Sequence, residues 1–294
     1  MAKITCFGEV LWDAFPTKKK IGGAPLNVAS RLQSFNHNVS MISAIGKDQL
    51  GDKILSFLKN SAINTDCVQI LSDYKTGEVT VTLNKKGSAS YVIEHPSAWD
   101  KIQLTELSKK TVEESSVFVF GSLAARDEVS RETLYNLVNI AKYNVFDVNL
   151  RPPHYSKEIL LHLMQKAHFI KFNDEELYEI SGYLGSKYNS LEQNLCFMSK
   201  KTNTKHICVT KGQHGAVLLY EGSLYFNSGY QIKVVDTVGA GDSFLASIIS
   251  QLQNTEDPQK AIDFACGVGA LVAQNKGANP KISNSDIKAF VNPY

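Results

Sequence analysis

Long apolar runs are missing from this chain. None approaches the roughly 18 consecutive residues needed to cross a bilayer. The first fifteen residues hold no apolar stretch of useful length either, because Glu9 and Asp13 interrupt it. Neither a secretory leader nor a membrane partner is therefore expected. Cysteine is scarce: five stand at positions 6, 67, 196, 208 and 266, with no CxxC pair. An odd number at such spacings argues against a disulfide framework or zinc site and for a reducing, cytoplasmic setting. The seven histidines show neither HxxxH nor HExxH spacing. Charge of one sign is lacking as well. The net charge of +2 is too small for a nucleic-acid partner, and the one tight basic run, Lys18-Lys19-Lys20, reads first as a solvated loop. Two nucleotide signatures are also absent. Without GxxxxGK[ST] the chain is no Walker-type ATPase, and without GxGxxG after a strand it is not expected to be a dinucleotide-dependent dehydrogenase.

What remains is an ordinary globular composition, 43% hydrophobic and 20% charged over 294 residues, long enough to bury a sizeable core. Strand-like and helix-like patterns alternate at 3–8, 25–35, 39–45 and 49–59. The alternation resumes at 117–120, 131–142, 144–148, 158–167, 168–172, 174–181 and 206–210. A hairpin follows at 216–226, then a helical tail at 240–252, 258–274 and 286–291. Repeated βα units predict an α/β fold, a mostly parallel twisted sheet with helices on both faces. Between the two series lie short β-like runs at 68–71, 77–83 and 89–94. Ser72-Asp73 and Asn84-Lys85-Lys86-Gly87 separate them as turns. They read as a small antiparallel insertion at about 67–98 within one domain spanning 1–294.

In an open α/β sheet, ligands bind beyond the carboxyl ends of the strands. Five motifs fall at such junctions. Val234-Val235 ends a β-like run, and Asp236-Thr237-Val238-Gly239-Ala240-Gly241-Asp242-Ser243-Phe244 leads at once into a helix. Gly239, Ala240 and Gly241 leave backbone amides open at a helix N-terminus, a ready anion site. A carboxylate beside a bound anion repels it. Asp242 is thus either a helix cap or a base that takes the proton of an attacking hydroxyl. Gly22-Gly23-Ala24-Pro25-Leu26-Asn27 joins a turn to a helix and presents the Asn27 amide, both donor and acceptor. Asp147-Val148-Asn149-Leu150-Arg151 ends another strand, where alternation points Asp147, Asn149 and Arg151 to one side. Lys171-Phe172-Asn173-Asp174-Glu175-Glu176 is another strand-to-helix junction, and Asn173 with Glu176 carries the spacing of a capping box. Thr210-Lys211-Gly212-Gln213-His214-Gly215 joins two strands and by itself describes a tight turn.

Together these motifs resemble, over nearly the whole chain and in order, the ribokinase-like (PfkB) carbohydrate kinases. The resemblance implies an ATP-dependent sugar kinase with Asp242 as catalytic base and the amides of 239–241 as anion hole. It places Asp13, Gly22, Gly23 and Asn27 on sugar hydroxyls and Arg151 near both sugar and phosphoryl group. Asn173, Thr210, Gly212 and Gly215 fall to the nucleotide, and Glu176 to Mg2+ through water. A K+ site would involve Asp236, Val238, Val272 and Gly277, with Lys281 standing where relatives carry Ser or Ala. Gly-Gly-Ala-Pro-x-Asn, Gly8-Glu9-Val10-Leu11-Trp12-Asp13, Gly121-Ser122-Leu123-Ala124-Ala125-Arg126 and Ala98-Trp99-Asp100 resemble fructokinases most. Fructose to fructose 6-phosphate is the expected reaction. The alternatives are ketodeoxygluconate, ribose or nucleoside kinases and a non-catalytic sugar sensor on the same fold. The insertion is expected to form a lid and to pair two copies as a homodimer.

Overall fold

The computed structural model describes residues 1–15, 18–83, 89–254 and 257–293, with backbone alone at 81–83 and 89–91. The chain divides into two units, Met1–Lys142 and Tyr143–Tyr294.

In the first unit, β1 (Lys3–Phe7) leads to a hairpin, β2 (Leu11–Phe15) and β3 (Lys18–Gly22). Then come α1 (Ala24–Ser34), β4 (Asn38–Gly46), α2 (Gln49–Asn60) and β5 (Val68–Leu71). β6 (Gly77–Leu83) and β7 (Ala89–Ile93) precede α3 (Glu106–Glu114), β8 (Val117–Gly121) and α4 (Glu128–Ile140). Four parallel strands lie in the order β8-β1-β4-β5. β1 and β8 read as continuous apolar runs, as strands covered on both faces do, and Ile4, Phe7, Phe118 and Phe120 are buried.

A second, four-stranded sheet has the order β3-β2-β6-β7. Its outer pairs are antiparallel, but β2 and β6 run parallel. This corrects the expected insertion in two ways. The run at 68–71 leaves it and pairs with β4 among the main strands. Half of the small sheet comes instead from the hairpin of β2 and β3. That hairpin was hidden because Leu11–Phe15 reads as an extension of the first strand, while Lys18-Lys19-Lys20 reads as a loop. A lysine-rich edge is one way a protein keeps an exposed strand from pairing with strangers. The expected turn at Asn84-Lys85-Lys86-Gly87 lies outside the described residues.

Both roots of the small sheet are tied down. Asp48 caps α2 by accepting from the Gly51 amide at 2.8 Å, and it also takes the Thr76 amide and hydroxyl at 2.9 and 2.8 Å. At the far end the Arg126 guanidinium forks onto Asp100, with both contacts at 2.7 Å, and reaches the Glu94 carbonyl at 2.5 Å. Arg126 lies 4.1 Å over the ring of the fully buried Trp99.

The second unit holds β9 (Asn144–Asp147), α5 (Lys157–Lys166), β10 (Phe169–Asn173), α6 (Asp174–Tyr183), α7 (Leu191–Thr202) and β11 (His206–Thr210). β12 (Ala216–Tyr220), β13 (Ser223–Asn227), α8 (Ala240–Leu252), α9 (Pro258–Ala273) and α10 (Asn284–Val291) complete it. β9, β10 and β11 are parallel; β12 and β13 add antiparallel strands at the β11 edge. The α/β class is as expected. Two helices, α3 and α7, were not. α3 buries only Ser108 and Val112, so its apolar stripe is too thin to show a period.

Candidate active site

In the second unit, α8 begins at a glycine whose replacement would be strained. Gly239 takes a left-handed conformation, φ 77°. A Cβ built on it would lie 2.5 Å from both Cα and Cβ of Ala278. The turn is thus pressed against the 277–280 loop at Ala278. The Gly241 and Asp242 amides follow in the first helical turn, where unpaired N–H groups and the dipole favour an anion. The Ala240 amide closes the turn onto the Thr237 carbonyl at 3.2 Å. Asp242, half-buried, stands at the third helical position.

Val234 and Val235, expected to end a strand, instead form an exposed loop. The Val235 and Asp236 amides both donate to the Ala273 carbonyl, at 2.8 and 3.2 Å. The Asp236 carboxylate accepts from Val238 N at 3.1 Å and Gly277 N at 3.0 Å. It therefore fastens together the two loops that the K+ expectation named. Val272 is buried at the end of α9, where its carbonyl accepts from Asn275 N at 2.9 Å. Lys281 is exposed.

Beside this turn lies a charge cluster. Lys171 and Asp147 are register partners on β10 and β9, so their side chains share a face. Lys171 Nζ donates to Asp147 Oδ1 at 3.0 Å, and both residues are buried. Burial opposes the lysine's charge, but Asp147, Glu176 and Asp242 outweigh it and push its pKa up to about 12. Glu176 is buried and completes a capping box: its Oε2 accepts from Asn173 N at 2.8 Å, while Asn173 Oδ1 accepts from Glu176 N at 2.8 Å. Its other oxygen accepts from Leu150 N at 2.9 Å. Burial pushes its pKa up, against the pull of Lys171.

The strand before this cluster ends sooner than alternation implied. β9 stops at Asp147, and Asn149 takes a left-handed φ of 38°. The period-two pattern is broken there, so Asp147, Asn149 and Arg151 do not form one face. Asp147 turns inward to Lys171, whereas Arg151 is exposed and donates to the Leu150 carbonyl at 2.9 Å.

Thr210, Gly212 and Gly215 do come together. With Ala240 and Gly241 they line a cavity of about 230 Å³ that runs past Tyr230 to Cys266. Gly215 is held at φ 77°, where a Cβ would lie 2.0 Å from the Asn227 carbonyl. Asn173 and Glu176 are not among the lining residues. Burial pushes the Cys266 thiol up to about 12. Two residues placed here have no role assigned from the sequence: Tyr230, which lines the cavity, and Lys171, which heads the 171–176 motif. The signal for Lys171 was present: a single lysine inside the apolar strand Phe169–Asn173.

In the first unit, Asp13 lies on β2 directly across from Lys20 of β3. A Cβ on Gly22 would fall 2.5 Å from Asp13 Oδ2, so this glycine makes room for the carboxylate. Gly23, at φ 117°, sits against the Glu9 carbonyl, 2.4 Å from the place of a Cβ. Asn27 is buried in the first turn of α1, where its backbone N–H donates to the Gly23 carbonyl at 2.9 Å. Trp12, on the other face of β2, donates its indole N–H to the Leu50 carbonyl at 3.1 Å. Asp13, Gly22, Gly23 and Asn27 are thereby gathered by one hairpin and the helix that follows it.

No group of three or more metal-ligating side chains suited to holding an ion occurs among the described residues. No helix there is long and apolar enough to cross a membrane.

Residues 2–285 match the family described as pfkB family carbohydrate kinase. A probable chloroplastic fructokinase-6 of Arabidopsis thaliana is 28% identical over 96% of this chain and 80% of its own length. An uncharacterized sugar kinase from Pyrococcus horikoshii is 25% identical, with a TM-score of 0.83 over 94% of this chain and 93% of its own. That kinase has also been solved in complex with ATP. A fructokinase from Vibrio cholerae in fructose, ADP and calcium ion bound form shares the fold at 24% identity. Its TM-score is 0.84 over 99% of both chains.

Proposed function

The chain belongs to the pfkB family of carbohydrate kinases, and we propose that it transfers the γ-phosphoryl group of ATP to a hydroxyl of free fructose, giving fructose 6-phosphate. One observation carries the chemistry. A carboxylate, Asp242, stands in the first turn of a helix whose N-terminus is built as an anion cradle around Gly239. A helix cap alone would not require Gly239 to be pressed without a side chain onto Ala278.

In this reading Asp242 takes the proton of the attacking hydroxyl as the oxygen bonds to phosphorus. The Gly239 and Gly241 amides meet the charge on the transferring group, with Ala240 partly engaged by Thr237. The cavity lined by Thr210, Gly212 and Gly215 takes the nucleotide. Asp13 and Asn27 bind sugar hydroxyls, a two-oxygen carboxylate being suited to a vicinal diol. Arg151, exposed in its loop, serves as a contact to sugar or phosphate oxygens.

The residues fit Mg2+ only at one remove. Both Glu176 oxygens already accept backbone amides, so Glu176 and Asn173 would order the ion's waters. Mg2+ when bound supplies charge neutralisation on the phosphates. For K+, the Asp236 carboxylate between the 236–239 and 277–280 loops is the supporting feature. The proposal includes a cytoplasmic setting, which the five free thiols suit.

Fructose is the preferred sugar because the chain is similar, over 96% of its length, to a probable fructokinase. ATP consumption with fructose, ribose, 2-keto-3-deoxygluconate, adenosine and fructose 6-phosphate tests activity and substrate together. Fructose should give the highest kcat/KM, and Asp242→Asn should cut kcat by about 10²–10⁴-fold while leaving sugar binding intact. A preference for ribose sinks the substrate assignment, and near-normal turnover in the Asn variant sinks the base.

We also propose a homodimer through the small sheet. Its edge strand β7 carries Val92, 60% exposed, and among the described residues β7 pairs only with β6. A clean monomer in sedimentation at micromolar concentration would refute this.

A further inference from the structure

We propose that Lys171 is a positioning residue of the phosphoryl-transfer site, a fixed buried cation that holds the α8 cradle and Asp242 in working order.

The geometry is specific. Lys171 Nζ is held by Asp147 Oδ1 at 3.0 Å inside the strand layer of the second unit. A Cβ built on Gly241 would lie 3.5 Å from that ammonium. The second glycine of the cradle thus faces the cation across no more than the width of one added methyl. No described donor reaches the second oxygen of Asp147, Oδ2, although it is buried. The ion pair is therefore not a closed structural clamp of the kind Arg126 forms with Asp100, where both carboxylate oxygens are taken. Three carboxylates, Asp147, Glu176 and Asp242, act on this one ammonium.

A lysine is costly in such a place unless its charge is used. Here its use follows from charge balance. Asp242 must stay ionised to accept a proton, and a polyanionic nucleotide must come to the same turn. Two buried carboxylates nearby oppose both requirements. A fixed ammonium near Gly241, held by Asp147, offsets them.

This inference rests on Asp242 being the base, so Asp242→Asn is measured alongside. Lys171→Met, Lys171→Arg, Asp147→Asn and the Lys171→Met/Asp147→Asn pair are compared for kcat, sugar KM and melting temperature. Lys171→Met should lower kcat by about 100-fold, the scale for losing one preorganised electrostatic partner, with the sugar KM little changed. Lys171→Arg should recover at least about tenfold of that loss, because it restores the charge. If Lys171→Met fails to fold, the paired variant carries the test, since it removes the stranded carboxylate as well as the ammonium. Its kcat should then stay at least about tenfold below that of Asp147→Asn alone. Were Lys171 only a structural counter-ion, the pair would regain both melting temperature and turnover, and that result overturns the proposal. So does an Arg variant no better than Met. An active Asp242→Asn defeats the base assignment and this inference with it. An inactive Asp242→Asn beside a fully active Lys171→Met defeats this inference alone.

Discussion

In the proposed reading, the two units recognise their ligands by opposite means. In the first, side chains carry the recognition proposed above. Asp13 projects from a strand of a small sheet and Asn27 from the first turn of a helix, and glycine contributes by giving way, as Gly22 does beneath the Asp13 carboxylate. In the second, the phosphoryl group is proposed to meet mainly backbone. The α8 turn presents amides, Gly239 is fixed by its φ and by Ala278, and Gly215 is locked against Asn227. A site made of side chains can be retuned one residue at a time, which suits the recognition of sugars that differ in a hydroxyl. A site made of backbone changes only if the chain path changes, which suits a phosphoryl group that is always the same.

If that contrast is right, the heaviest loss should come from adding a single methyl to the backbone site. Gly239→Ala has to overlap Ala278 and hold a left-handed φ, itself a cost of about 1–3 kcal/mol. The melting temperature should fall, and kcat should drop by roughly 100-fold or more even where the protein is folded. A Gly239→Ala enzyme with normal turnover would break the comparison. A smaller and more selective loss is expected from the side-chain site. Asp13→Ala removes charge-assisted hydrogen bonds worth about 1.5–3 kcal/mol each, so the sugar KM should rise by roughly 10- to 100-fold. The ATP KM should stay near its starting value, and parallel rises in both would show that the division of labour is wrong. The smallest effect concerns the cation. Turnover in K+ should exceed that in Na+ or a bulky organic cation at equal ionic strength. Because Lys281 is exposed, Lys281→Ser should leave that response unchanged. Indifference to K+ in both proteins removes the cation from the site.

The same contrast explains what could be read from the sequence. Backbone-built features demand glycine at fixed intervals, so Gly239, Gly241, Gly212 and Gly215 stood out; the last three line one cavity of the second unit, and Gly239 opens the helix that carries Gly241. Buried parallel strands are also legible, because apolar runs such as Val117–Gly121 have few other uses. Side-chain arrangements that depend on where a strand stops were harder. Asp147, Asn149 and Arg151 looked equivalent by alternation, yet the left-handed Asn149 separates them. Pairings between distant segments left no local trace at all. The parallel register of Leu11 with Gly77 follows from how Trp12, Thr76 and Trp99 seat the sheet, which no window of sequence contains. Lys171 was visible as an oddity, but its meaning required the partner on β9 and the glycine on α8.

The mixed origin of the small sheet limits how this enzyme can be recombined. β2 is joined on one side to its hairpin neighbour and on the other to a strand from a much later stretch of chain. The sheet is therefore not a cassette. A chimera that exchanges only 77–93 keeps the host's Asp13 and must match its pairing register, while one that exchanges only 11–22 keeps a foreign β6 and β7. A change of sugar preference that needs a reshaped cover has to arise in both stretches together, or it leaves a strand without its partner.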